Sequence, residues 1–404
     1  MTPAADLSER DAWLALVSVE GIGEGMLGRF IRRFGSGRET LAVAAGTDGS
    51  RALQRLLDAA PSYLTLMTAA RVRAAAMDPH AITRRIEDDG GWALTPLDPD
   101  YPARLRELDP PPVAVYGMGP LDVVTELRSV AVVGTRHPTP SGRALAAAVA
   151  RRLVEVDAVV TSGLAVGIDG AAHAATLEAG GRTVAVIGGG FDHPGPRAHD
   201  RLRRAILDGG GTILSEHAPH VAPTRGTFPR RNRIISVLTL GTIVVEAPIR
   251  SGALITARHA LEQGRRLLVA PGRPGDAASA GCLNLLRETP ARPLVGLDEL
   301  VVDLGLDSEP MPGARPDAAP RLGYQTALGM LGPVERDVAR VLHDGPTTID
   351  AIIGRTGQPA PVVAGALTLL QLRGWSQPVG AMQLPCGPLL AATPRPGARS
   401  GVVR

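Results

Sequence analysis

The residues best suited to chemistry in this chain stand where short apolar runs end. Gly134-Thr135-Arg136 follows Val130–Val133, and Thr161-Ser162-Gly163 follows Ala158–Val160. Gly188-Gly189-Gly190 follows Thr183–Ile187, Ser215-Glu216 follows Thr212–Leu214, and Pro271-Gly272 follows Leu267–Ala270. Beyond Thr242–Val245 come Glu246 and then Ser251-Gly252, which open a helical stretch. Glycine turns at helix starts aim backbone N–H groups and the positive helix end at an anion, and a hydroxyl adds a donor. Full charges join them at Arg136 and in "FPRRNRIISVLT", residues 228–239, where Arg230, Arg231 and Arg233 precede branched apolar residues with no acid close by in sequence. The chemistry this composition fits is the holding of phosphate. Arg230, Arg231 and Arg233 are expected to form a basic rim, anchored in the sheet by the apolar residues behind them.

Asp169, Asp192, Glu216 and Glu246 also fall near run ends. Two such carboxylates could serve acid–base work or a metal. The favoured expectation is that Asp169 caps the following helix and that the others orient arginines or loops, so Asp169, Asn232 and Glu246 count as supporting residues. No GxxxxGK[ST] loop for a nucleoside triphosphate is present. Nor does any local motif for a Ser-His-Asp or Cys-His nucleophile stand out. The histidines lack ligand spacing, and neither metal nor cofactor is expected.

The elements that must position these groups can be read from the rhythm of the chain. Near-continuous apolar runs alternate with helical stretches such as "GRALAAAVARRLVEV" and "ALITARHALEQG". This pattern indicates a parallel sheet covered on both faces, and such sheets bind ligands beyond the carboxyl ends of their strands. A further short strand is expected at Val113–Tyr116. The first 82 residues read as a helical domain. There Gly23, Gly25 and Gly28 spell G-x-G-x-x-G, but the preceding segment has helical spacing, which argues against a dinucleotide loop. A helix-hairpin-helix turn at Gly21-Ile22-Gly23 and a plain structural hairpin both fit. Residues 83–303 form the sheet domain, 304–325 a proline-rich linker, 326–390 a winged-helix-like module, and 391–404 a loose tail. The module's third helix, "APVVAGALTLLQL", offers no arginine before Arg373, so protein contact or packing suits it better than DNA reading.

Composition narrows the classes. The chain has 404 residues, 44% hydrophobic and 21% charged, with a formal net charge of +3. That is globular, and too long for one core. Every one of its 43 basic residues is arginine, a planar fork suited to phosphate or carboxylate. Cys282 and Cys386 stand far apart, as expected for a reducing cytoplasm. The acids ahead of the first apolar segment are unlike a signal peptide, and no apolar run reaches the roughly 18 residues of a membrane span. Aromatic content of 3% argues against a base-stacking platform as the main element.

Taken in order, "VAVVGTR", "SGLAVGIDGAAH", "TVAVIGGGFD", "LSE", "FPRRNRII", "VVEAPIRSGALITA" and "VAPG" resemble the DNA-processing protein A (DprA/Smf) family. "DPDYPARLRELDPPPVAVYGMG" resembles its entry segment, so that the likeness covers roughly residues 97–287. The resemblance implies an extended Rossmann-like domain flanked by an N-terminal helical and a C-terminal winged-helix domain. It implies binding of single-stranded DNA without catalysis, delivery of that DNA to the RecA recombinase in natural transformation, and a homodimer. By position, the family's phosphate-holding turns fall on Gly134, Thr135 and Arg136, on Ser162 and Gly163, on Arg233, and on Ser251 and Gly252. Three departures stand out: Val166 where the family usually has arginine, Gly195 and His199 where relatives show tyrosine and asparagine, and "RNRIISVLT" where they read "RNRIIAGLS". Arg197, Arg201, Arg203 and Arg204 lie just downstream as replacement charge. Two rival readings are a nucleotide-cleaving enzyme like the phosphoribohydrolases, whose PGGxGT turn is reduced here to Gly241-Thr242, and a free-nucleotide binder, which lacks the acidic ribose residue expected after the first turn.

Overall fold

A computed structural model describes residues 7–49, 51, 53, 66–193, 195–307, 323–379 and 382–390. Residues 308–322 of the expected linker and the whole of the tail lie outside them. The described chain falls into two compact units, one drawn from residues 1–81, 94–101 and 319–404, the other from 82–93 and 102–318.

The second unit is built on a sheet whose order is β1-β2-β6-β5-β4-β3-β7-β8-β9. The strands are β1 (Gly91–Leu94), β2 (Val115–Met118), β3 (Ser129–Val133), β4 (Val159–Ser162), β5 (Thr183–Ile187), β6 (Thr212–Ser215), β7 (Gly241–Val244), β8 (Arg266–Val269) and β9 (Arg292–Pro293). From β3 to β9 all neighbours are parallel; β2 runs antiparallel to β6, with Tyr116 opposite Ser215. The β2 strand starts two residues later than expected, since three consecutive prolines at 110–112 supply no N–H to a ladder. After β1 and β2 at one edge, the parallel part begins mid-sheet at β3, winds outward through β4, β5 and β6, then returns to β7 on the other side of β3. That reversal is a topological switch point, where a crevice opens beyond the strand ends. Val130, Val132, Val160 and Ile243 are fully buried against Ala146, Val149, Leu153, Ile168 and Ala172 of the Pro140–Glu155 and Ile168–Glu178 helices.

The stretch 228–239 is a helix, Thr227–Val237, laid on the sheet. Its branched residues pack by helical period: Ile234, Ile235 and Val237 are buried, and Arg230 is exposed. The rim is therefore anchored to the sheet through a helix. Arginines clamp the end of that helix, Arg104 donating to the Leu238 carbonyl at 2.6 Å and Arg265 to the Val237 carbonyl at 3.0 Å. Cations there meet the negative pole of the helix.

In the first unit Glu9–Val17 and Glu24–Phe34 form a helical pair joined through Gly21 (φ 91°) and Gly23, with Gly25 and Gly28 inside the second helix, and among the described residues no strand precedes them. The half-buried Glu9 carboxylate accepts from Trp13 Nε1 at 2.9 Å and from the amide of Gly37 at 2.6 Å. The winged helix comprises Pro333–His343, Ile349–Thr356 and Ala360–Leu372 with a sheet of order β10-β12-β11, in which β10 is Thr347–Thr348, β11 Ser376–Val379 and β12 Met382–Pro385. A short helix, Tyr324–Gly329, precedes it where the sequence showed the end of a linker. Six residues bounded by glycine carry too little period to be read.

Candidate phosphate-binding crevice

Two adjoining hollows open beyond the strand ends. The smaller, about 370 Å³, lies at the β3/β7 switch point and is lined by Gly134, Thr135, Arg136, Asp169, Arg231, Asn232, Ser251 and Gly252. The larger, about 680 Å³, lies beyond β4 and β5 and is lined by Gly163, Val166, Gly188, Arg197 and Arg203. Arg136, Ala165, Phe228 and Arg231 line both and form the saddle between them. Eight of the sequence-selected residues thus meet at one hollow and Gly163 at its neighbour.

Backbone groups at the switch point are partly committed. The Thr135 amide donates to the Glu246 carbonyl at 2.7 Å, and the Ser251 amide to the Pro248 carbonyl at 3.0 Å. The amides of Gly134, Arg136 and Gly252 find no acceptor among the described residues. Gly252 is the N-cap of the Ala253–Glu262 helix, so a free amide and the positive helix end coincide there. Arg136 and Arg250 line the hollow as exposed guanidiniums that make no ion pair to any described residue. Arg136 lies with its Cζ 5.6 Å from the centroid of the Phe228 ring, a cation–π distance.

Behind this lining stands a supporting layer. The Glu246 carboxylate is 4% exposed and accepts from the Thr139 amide at 3.0 Å and its hydroxyl at 2.5 Å, fixing the loop that carries Arg136. Asn232 donates through Nδ2 to the Gly252 carbonyl at 3.2 Å, tying the Thr227–Val237 helix to the opposite turn. Asp169 does not cap its helix: the N-cap is Gly167. Its buried carboxylate reaches back to the amides of Gly163 and Ala165. Burial pushes this carboxyl upward, against the pull of Arg231 and the amides. Arg231 is itself buried and donates to the Val186 carbonyl; desolvation brings it down to about 10, so it stays charged at neutral pH.

Several expectations need correction. Acid does reach the arginine stretch. Glu216 Oε1 accepts from Arg233 at 2.5 Å and from Arg230 at 3.2 Å, and Arg233 also donates to the Pro110 carbonyl at 3.0 Å. With its side chain 14% exposed and its charge met, Arg233 lines neither hollow; nor does Arg230. Ser162 is fully buried, and its hydroxyl donates to the Val132 carbonyl at 2.6 Å. The sequence reading passed over Arg250, Phe191 and Phe228. Arg250 precedes Ser251-Gly252 directly, a position that could have marked it. Despite the low aromatic content, two of the four phenylalanines face the larger hollow. Among the described residues no group of three or more His, Cys, Asp or Glu is placed to hold a metal ion, and no helix is long and apolar enough to cross a membrane.

Fold and crevice together define an open, doubly wound α/β protein with a cationic cleft at its switch point. Residues 92–305 match the family described as DNA recombination-mediator protein A, and residues 318–379 the DprA winged helix domain. The chain belongs to the DNA-processing protein A (DprA/Smf) family. It is 38% identical over 307 residues to the putative DNA processing protein DprA of Mycobacterium tuberculosis, covering 71% of this chain and 75% of that one. Among solved structures, DNA processing protein A of Streptococcus pneumoniae is similar at 33% identity and a TM-score of 0.50, over 67% of this chain and 97% of that one. The Helicobacter pylori protein, described for its single-stranded DNA binding mode, is similar at 28% identity and a TM-score of 0.50, over 54% of this chain and 97% of that one.

Proposed function

We propose that this protein binds single-stranded DNA by its phosphates in the two hollows, without catalysis, and delivers it as a homodimer to a RecA-type recombinase. The observation that carries the binding is the pairing of free amides with the unpaired cations Arg136 and Arg250 at the switch point. The single-strand binding described for the Helicobacter pylori relative supports it, and family membership supports the partner and the dimer. A flexible single strand can follow a path over a saddle that a stiff duplex cannot. If about four phosphates are held, log affinity falls with log salt at a slope of about −3.

Gel shifts of oligo(dT) against a duplex, without nucleotide or metal, test the reading. Arg136→Ala is expected to fold normally, weaken oligo(dT) binding about tenfold and flatten the salt slope. Arg233→Ala is expected to lower stability by about 3 kcal/mol, because it takes one cation from a buried carboxylate. Equal duplex binding, release of a free base from a nucleotide substrate, or unchanged binding by Arg136→Ala would contradict the proposal.

A further inference from the structure

The larger hollow has a wall made by Asp200–Asp208, a helix entered through a single 3-10 turn at Arg197–His199. Two contacts fix that wall to the strand ends. His199 Nδ1 lies 3.0 Å from the Leu164 carbonyl in the turn after β4, and Leu202 and Ile206 pack in one cluster with Leu164 and Ile187. The helix therefore cannot drift from the turn that shapes the hollow.

Its outer side is cationic and unmet. Arg203 lines the hollow, half-buried, while Arg201 and Arg204 are exposed beyond it. None of the three makes an ion pair to a described residue. Elsewhere in this unit surface arginines are paired: Arg151 is tied to Glu178 at 3.2 Å, the half-buried Arg152 to Glu155 at 3.0 Å, and Arg182, in the turn before β5, to Asp122 at 2.9 Å. The acids at the two ends of the Asp200–Asp208 helix do not neutralise its arginines. Asp200, in the first turn, interacts with the positive pole of its own helix. One turn separates Arg201 from Arg204, a rise of about 4.5 Å, within reach of neighbouring phosphates for two long side chains. Arg203, one residue earlier than Arg204, links this pair to the hollow.

We propose that Arg201, Arg203 and Arg204 form a second phosphate-binding segment, a ramp along which single-stranded DNA leaves the larger hollow. The proposal rests on the hollows holding DNA phosphates and adds a direction to the path. It gives the chain a longer footprint than the hollows alone supply. The segment is also where Gly195 and His199 stand in this chain, so the ramp belongs to a local change in the loop and helix.

The test uses the full chain and two labelled oligo(dT) lengths, about six nucleotides, near the short end of usual single-strand site sizes, and about twenty, beyond their long end. Both substituted side chains are exposed on a helix, where alanine is the best helix former, so the variant should fold; circular dichroism checks this. Arg201→Ala with Arg204→Ala is expected to bind the short oligonucleotide as the unaltered protein does. It should bind the long one about tenfold more weakly, with a salt slope shallower by about 1.4 for two lost contacts. Arg201→Lys with Arg204→Lys should restore that slope. Arg136→Ala should weaken binding of both lengths about tenfold. The ramp is overturned if the double alanine variant binds the long oligonucleotide normally, or loses both lengths alike. Binding of neither length by the unaltered protein would remove the hollows' role and the ramp with it.

Discussion

Arg231 and Arg233 sit two residues apart on one helix and meet opposite fates. Arg231 points inward to the Val186 carbonyl beside Asp169, at the saddle of the crevice, whereas Arg233 is held by Glu216 and the Pro110 carbonyl away from it. The positive charge open to a ligand comes instead from Arg136 and Arg250, each next to a turn with an unsatisfied amide. The residue types for phosphate binding were legible in the sequence; the allocation of arginines was not. Glu216 lies 14 and 17 positions from its two partners, and only the fold brings it to them. A buried histidine supplies a pH prediction at this scale. His173 Nδ1 is 2.7 Å from the Thr183 hydroxyl, which itself donates to the Val160 carbonyl, so His173 is the donor and is neutral. Burial pulls it down to about 3. Between pH 6.5 and 3 the unfolded chain therefore takes up a proton that the fold refuses, and stability falls as pH drops through that window, by at most about 1.4 kcal/mol per unit. Denaturant titrations across the window should show this component missing in His173→Asn, which keeps a donor for Thr183. An identical pH slope in the two proteins would contradict it.

At the scale of elements, the turn after β4 and the Thr227–Val237 helix are made for each other. A Cβ on Gly163 would fall on the Arg231 guanidinium and 2.7 Å from Asp169 Oδ2. Gly167, at φ 95°, would drive a side chain into the Thr135–Arg136 backbone. These two glycines let three layers of loop approach closely enough to leave their charges facing one crevice. Gly163→Ala is expected to cost about 1–3 kcal/mol by overpacking and to weaken oligo(dT) binding by displacing Arg231. Chemical denaturation and anisotropy measure the two, and a variant as stable and as tight-binding as the parent would refute the packing argument. The strands from β2 to β8 were readable to within a residue or two because strands buried on both faces are continuous apolar runs, whereas the short edge strands β1 and β9 carry no such run and were not read. The helix was harder. Ile234, Ile235 and Val237 look like strand residues, and their helical period shows only once Arg231 and Asn232 are known to face inward. The Ala360–Leu372 helix was the converse case. It was readable as a helix and as one without charge, and Val362, Leu369 and Leu372 are indeed exposed along it.

For the whole molecule, the decisive feature is the order of the strands. Because β7 returns beside β3, the turns after residues 133 and 244 face each other, and segments more than a hundred residues apart build one hollow. Sequence pattern gives the alternation of strands and helices but not that return; the family resemblance supplied it, through motifs in a fixed order. The central claim is that the amides of Gly134, Arg136 and Gly252, with Arg136 and Arg250, hold the phosphates of a single strand. The most direct measurement is a crystal structure of the protein with oligo(dT). Phosphate oxygens within about 3 Å of those amides and guanidiniums, with the strand continuing over Arg231 into the larger hollow, would agree with the account. A strand bound elsewhere, with both hollows holding only solvent, would contradict it.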